Sequence, residues 1–205
     1  LLLDEPASGL DAAARSDLGA MLELVARECT LVCAAHVPDD LPDFITRYLA
    51  LDAHRVRPVE RGTSEAARTT TVAPRRADAT RVDASGVPLI RLDRADVWLA
   101  GRRVLHDVSW QLMPGEQWLV TGANGSGKSS FLRLLYGALR PALGGEVAWP
   151  ALGNPRDIWQ LRKQIAWVSP ELQAAYRYPS TVRACIAAGF TSSVGQIRPP
   201  TAPET

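Results

Sequence analysis

The segment Gly122-Ala-Asn-Gly-Ser-Gly-Lys-Ser129 lies between an apolar run, Gln117-Trp-Leu-Val-Thr121, and an amphipathic one, Ser130-Phe-Leu-Arg-Leu-Leu-Tyr136. A strand, a glycine-rich loop and a helix in that order form the context a phosphate cradle requires, and they commit the chain to an α/β architecture. The glycines let the backbone wrap closely, so that successive N–H groups and the helix N-terminus, with roughly half a positive charge, point at one anion. Lys128 adds a mobile full charge, and Ser129 has a hydroxyl suited to Mg²⁺. The pattern predicts a nucleoside triphosphate site built from Gly122, Ala123, Asn124, Gly125, Ser126, Gly127, Lys128, Ser129 and Ser130.

The second informative stretch stands at the other end of the chain. Leu1-Leu-Leu-Asp-Glu-Pro6 runs from three apolar residues straight into two carboxylates, and Ser8-Gly-Leu-Asp11 follows. Alternation along a strand sends neighbouring side chains to opposite faces, which assigns Asp4 and Glu5 to different tasks. One carboxylate can hold Mg²⁺ through its water shell while the next polarises an attacking water.

At 205 residues the chain has room for one ordinary domain or for pieces of two. A net charge of +1 lacks the basic excess of a typical nucleic-acid binder, and the pairs Arg75-Arg76 and Arg102-Arg103 read as solvated surface. No apolar run reaches the ~20 residues needed to cross a bilayer, and no signal peptide opens the chain. The expectation is a cytoplasmic protein, at most peripheral to the membrane. Cys29, Cys33 and Cys185 match no metal-ligand spacing and read as reduced thiols, two of them in apolar stretches. Residue 1 is Leu, inside a buried-strand pattern, and predicts a piece of a longer chain.

Apolar periodicity divides the chain. Asp11 is a candidate N-cap for a helix over Ala12–Arg27, with Leu18, Met21, Leu22 and Val25 at helical spacing. Thr30–Ala35 is a continuous apolar run, as in a parallel strand covered on both faces, with His36 at its end. A strand at Phe44–Leu51 and a short polar turn close this first part. In residues 61–88 the apolar pattern gives way to Thr, Ala, Arg, Ser, Gly and Pro, the composition of a linker. Five short strands are then predicted, at residues 89–92, 95–99, 103–105, 108–112 and 118–121. After the glycine-rich loop come a helix to about Leu139, strands near Gly145–Ala148 and Gln164–Val168, and a helix over Thr181–Ala188. Residues 198–205 form an uncommitted tail.

Together these signals resemble the ATP-binding cassette ATPases, whose fold is the P-loop NTPase fold. LLLDEP resembles the family's Walker B strand, Ser8, Gly9, Leu10 and Asp11 its D-loop, and His36 its switch histidine. VSWQLMPGEQWLVTGANGSGKSSFLRLLYG resembles a Walker A half, and IAWVSPELQ the segment holding the Q-loop. The order implies two incomplete cassette halves in tandem: residues 1–60 from the C-terminal part of a first cassette and 89–197 from the N-terminal part of a second. The phrases VSPELQ and GFTSSVGQIRPP are most similar to the ModF-type molybdenum-transport or photorepair ATP-binding proteins.

The resemblance implies ATP and Mg²⁺ as ligands. Glu5, His36 and Lys128 become the catalytic set, Asp4 and Ser129 hold the metal, and Trp98 stacks on adenine, with Leu99 as its rival. The missing cassette halves and membrane permease subunits are the implied partners. The tandem order further implies that Lys128 and Ser129 serve one nucleotide while Asp4, Glu5 and His36 serve another. No LSGGQ-like signature occurs in the chain, and Pro170 stands where the family has its Q-loop glutamine. Glu171 or Gln173 then senses the metal, or the segment is a plain polar turn. Two rival readings stay open. One is a cassette protein acting on ribosomes or nucleic acid rather than transport. The other is a permuted stand-alone P-loop nucleotide-binding module in which Leu1–Asp4 pairs beside Trp118–Thr121.

Overall fold

A computed structural model describes residues 1–35, 44–59 and 86–175, together with positions 181 and 184. His36, most of the expected linker, Cys185, most of the helix expected at residues 181–188 and the tail lie outside the described residues.

Short apolar runs form the strands of a six-stranded sheet. These are β1 (Leu2–Asp4), β2 (Leu31–Ala34), β3 (Arg47–Asp52), β4 (Arg55–Val59), β7 (Gln117–Thr121) and β9 (Trp167–Val168), in the spatial order β4-β3-β7-β2-β1-β9. Four of the five pairings are parallel, and only the β3–β4 hairpin is antiparallel. Residues 1–59 supply four of these strands and residues 117–168 the other two, so the two sequence segments interleave in one sheet. β1 does not pair with β7: β2 lies between them, with Leu3 beside Cys33 and Cys33 beside Leu119.

Strand alternation places the apolar residues on both faces. Leu2, Val32, Ala34, Trp118 and Val120 face the larger core with Trp110, Phe131, Leu132 and Leu135. Leu3, Leu31, Cys33 and Leu119 face a smaller core, with Leu22 of helix α1 (Ala12–Glu28). Burial in this second core pushes the Cys33 thiol up to about 12, which suits a small packing residue. As expected, Asp11 caps α1: its Oδ1 accepts from Ala14 N at 2.8 Å.

A second sheet, in the order β6-β5-β8, packs on the larger core. The four strands expected between residues 89 and 112 are two long ones, β5 (Ile90–Leu99) and β6 (Arg102–Leu112), paired with β8 (Glu146–Ala148). The polar dipeptides Asp93-Arg94 and His106-Asp107 read as breaks, but Arg94 (φ 45°) and Asp107 (φ 47°) sit at irregularities within continuous strands. Arg103 also departs from plain surface, since its Nε donates to Asp96 at 2.9 Å. Helix α2 (Lys128–Leu135) follows the glycine-rich loop and buries Phe131, Leu132, Leu134 and Leu135. Helices α3 (Ile158–Arg162) and α4 (Pro170–Ala175) flank β9.

Polar contacts lock the two segments at the end of the sheet where β2 and β7 begin. The buried Gln117 amide donates to Ala26 O at 2.9 Å and Cys29 O at 3.1 Å, satisfying carbonyls at the C-terminus of α1. Gly115 N donates to Thr30 Oγ1, and Arg47 pairs with Glu116 at 2.9 Å. Removing the amide in Gln117→Ala leaves two carbonyls short of a partner. Urea unfolding should show a loss of about 1–3 kcal/mol; an unchanged midpoint would mean that this junction contributes nothing.

Candidate functional site

The glycine-rich loop closes at the carboxyl end of β7, where open α/β sheets carry their ligands. Its glycines answer to space as well as to conformation. A Cβ on Gly122 would meet Leu51 O at 2.4 Å, and one on Gly127 would meet Val104 O at 2.7 Å. Gly127 also sits at φ 110° as the N-cap of α2, a geometry that side-chain-bearing residues rarely adopt. The loop is therefore wedged between the end of β3 and the start of β6. Gly127→Ala should abolish nucleotide binding, because the opposing group is backbone and cannot turn aside; calorimetric titration with ATP measures it.

Lys128 does not reach into solvent. It is 5% exposed, and its ammonium donates to Gly122 O at 3.0 Å and Ala123 O at 3.3 Å, folding back over its own loop. Burial holds its pKa below the ordinary value, against the raising influence of Glu5 and Asp4. The hydroxyl of Ser126 is buried in the same loop with no hydrogen-bond partner among the described residues.

The acidic strand end arrives opposite this loop. Asp4 closes β1, is 2% exposed and hydrogen-bonds to the side chain of Ser129, while its Oδ1 is buried without a partner among the described residues. Glu5 Oε1 lies 3.9 Å from Lys128 Nζ. Strict alternation assigns the two carboxylates to opposite faces, but the strand stops at Asp4 and Glu5 takes φ 47°. That left-handed backbone brings both side chains to one loop, at a cost of about 1–3 kcal/mol. The tandem reading assigned Lys128 with Ser129 and Asp4 with Glu5 to different nucleotides. The structure instead joins all four at one place, because β2 bridges β1 to β7 in parallel register.

Other candidates separate by exposure. Trp98 is 55% exposed on β5, whereas its rival Leu99 packs against the core. Trp98 pairs with Arg103, the neighbour of the Val104 whose carbonyl abuts Gly127, which places this hairpin beside the loop. Trp110 lies in the core edge-on to Trp118 and Phe131, and Trp159 is exposed. Ser8 and Gly9 are exposed in the turn before α1, and Leu10 is half-buried. Gln173 falls within α4, and its side chain, like His36, lies outside the described residues. Arg133 of α2 is the contact that sequence reasoning missed: its Nη2 reaches Glu171 Oε1 at 3.0 Å. Nothing in the local sequence links those two positions.

Burial raises the Asp4 carboxyl above the usual range. The Ser129 hydrogen bond opposes this, the charges of Glu171 and Glu5 reinforce it, and Lys128 opposes it. A carboxyl whose pKa is higher folded than unfolded favours folding while protonated, and that benefit is lost as pH rises through the folded value. Asp4→Asn should therefore raise the melting temperature of the nucleotide-free chain at neutral pH. The gap should close toward about pH 4, and a less stable variant at neutral pH would contradict this electrostatic picture.

Among the described residues, no three His, Cys, Asp or Glu side chains converge to hold a metal by themselves, and no helix is long and apolar enough to cross a membrane. Residues 105–190 match the ABC transporter family. The chain is 30% identical to the ABC transporter ATP-binding protein ModF of Escherichia coli (strain K12) over 95% of its own length and 43% of that protein. It is 31% identical to an uncharacterized ABC transporter ATP-binding protein of Schizosaccharomyces pombe over 84% of its length and 37% of the relative. A hemin import ATP-binding protein, HmuV of Methylobacillus flagellatus, is 36% identical over 39% of this chain and 30% of its own. The chain thus spans less than half the length of these relatives. No solved structure matches it significantly.

Proposed function

We propose, from the premise that this chain belongs to the ATP-binding cassette ATPases, that it binds ATP with Mg²⁺ at the glycine-rich loop. In the whole protein this site hydrolyses ATP to energise a transporter. The observation that carries the reading is the meeting of Asp4 and Glu5 with Ser129 and Lys128. A carboxylate oxygen buried without a partner among the described residues, beside a hydroxyl, is the kind of hard donor set that Mg²⁺ takes together with phosphate oxygens. The orphaned oxygen and the repelling carboxylates have a physical reason to exist if a cation completes them.

Ser129 would hold Mg²⁺, with Asp4 acting across its water shell. When bound, the ion supplies positive charge to the phosphate oxygens. The remaining work falls to the chain itself. Backbone N–H groups between Gly122 and Lys128 bind the phosphates, and the Lys128 ammonium leaves the loop carbonyls to pair with the outer phosphate oxygens. Glu5 is partly open to solvent, so it can accept a hydrogen bond from a water and orient it for in-line attack. Trp98 offers an exposed ring for the base, worth roughly 1 kcal/mol. His36 is assigned to the outer phosphate by the family resemblance alone.

The transport role rests on the relatives, which are transporter ATP-binding proteins, and makes membrane permease subunits and the rest of its own chain the proposed partners. Molybdate as cargo rests on the similarity to ModF-type proteins. The match to ModF runs through both segments, which supports two cassette halves in tandem order. The interleaved sheet favours a second reading, a permuted module that is complete in one chain.

Fluorescence titration with ATP and Mg²⁺ tests the binding step. Lys128→Ala should weaken affinity by about 10–100-fold, the value of a lost charge-assisted contact; equal affinity would refute the site. Turnover separates the two readings. A pure 205-residue chain that binds ATP without hydrolysing it fits the tandem account, whereas Mg²⁺-dependent turnover lost in Glu5→Gln fits the permuted module.

A further inference from the structure

We propose that His54 and His106 share a divalent transition-metal ion, Zn²⁺ or a cation of similar preference, at the seam between the two sheets. His54 stands in the turn between β3 and β4, and His106 lies on β6. Their ring centres are 5.6 Å apart, with the planes tilted by 31°. His106 N donates to His54 O at 2.8 Å, so the main chain itself fixes the two residues side by side. An imidazole nitrogen about 2.0–2.1 Å from Zn²⁺ puts its ring centre about 3.2 Å from the ion, and two such rings at a tetrahedral angle stand about 5.2 Å apart. The observed separation lies within about half an ångström of that value.

A second observation concerns the His54 ring. Its Nδ1 is buried and has no hydrogen-bond partner among the described residues, although each ring nitrogen of a neutral imidazole either donates or accepts. The turn also carries a conformational cost, because Ala53 and His54 take φ 45° and 65° where a tight hairpin normally uses Asn or Gly. A ligand shared with His106 offsets that cost by stabilising the folded chain. Imidazole suits Zn²⁺, Ni²⁺ and Cu²⁺, whereas Mg²⁺ takes oxygen donors. This pair is therefore chemically distinct from the carboxylates and hydroxyl at the glycine-rich loop. No three His, Cys, Asp or Glu side chains converge among the described residues, which leaves water to complete the coordination and makes the site open rather than closed. Its position gives it a consequence. Leu51 and Val104, whose carbonyls crowd Gly122 and Gly127, lie just before His54 and His106 in the sequence. An ion held by both imidazoles clamps together the two walls of the loop.

Calorimetric titration of the 205-residue chain with Zn²⁺ tests the site, without nucleotide and in excess Mg²⁺, which competes for oxygen donors but not for imidazoles. His54→Gln and His106→Gln should each weaken Zn²⁺ binding by more than about tenfold, at least the cost of losing an outer-shell partner. Unchanged affinity in either variant, or no Zn²⁺ binding by the parent, would overturn the shared site. Melting reads the clamp: at Zn²⁺ about ten times its Kd the parent should gain about 2–4 °C, and equal gains in the variants would contradict it. NMR of the parent labelled with ¹⁵N-histidine needs no substitution and so stands even where a variant fails to fold. The ring nitrogens of His54 and His106 should shift together at one Zn²⁺ per chain, and a response from one of them alone, or from neither, would overturn the proposal. No nucleotide enters these measurements, so their outcome is independent of the reading of the glycine-rich loop.

Discussion

A carboxylate buried against a phosphate loop is unfavourable unless something positive completes it, and that electrostatic demand organises this molecule. Asp4 is buried, keeps one oxygen without a partner among the described residues and feels the charges of Glu5, Glu171 and the drawn-in ammonium of Lys128. Each feature is unfavourable for folding alone. Desolvation opposes both charges, and Glu5 adds a left-handed backbone. Together they describe a site that the proposed nucleotide and Mg²⁺ would complete.

What holds such groups together is the sheet beneath them. β1 and β7 each need β2 between them, and the parallel register delivers the carboxyl ends of all three to one edge. Apolar residues on both faces bury these short strands. The close fit of Gly122 against Leu51 and of Gly127 against Val104 ties the loop to both sheets. Gln117, Glu116 and Gly115 pin the opposite edge to α1, Arg47 and Thr30, far from the chemistry. The stabilising contacts and the proposed site thus occupy opposite ends of the same strands.

The glycine-rich loop, α1 with its Asp11 cap and the strands at residues 31–34 and 117–121 were legible in the sequence, because local spacing alone specifies them. Less legible was anything depending on turn residues with positive φ. The β3–β4 hairpin turns on Ala53 and His54, at φ 45° and 65°, without the Asn or Gly that usually signals such a turn. Its strand β4 contains Pro58, tolerated because β4 is an edge. Arg94 and Asp107 hid two continuous strands in the same way. At the site, Asp4, Glu5, Lys128 and Ser129 were each readable, but their meeting was not. Family order placed them at separate nucleotides, while long-range strand pairing, to which sequence spacing is blind, brought them together. The Arg133–Glu171 contact spans 38 positions and is equally invisible locally.

The account's central claim is that residues from both segments close on one nucleotide. Hydrogen exchange of the chain, with and without ATP and Mg²⁺, tests it most directly. The account predicts slowed exchange in two stretches at once, Asp4–Ser8 and Gly122–Ser129, with the joint effect lost when Mg²⁺ is withheld. Protection confined to Gly122–Ser129, with Asp4–Ser8 unchanged, would contradict it.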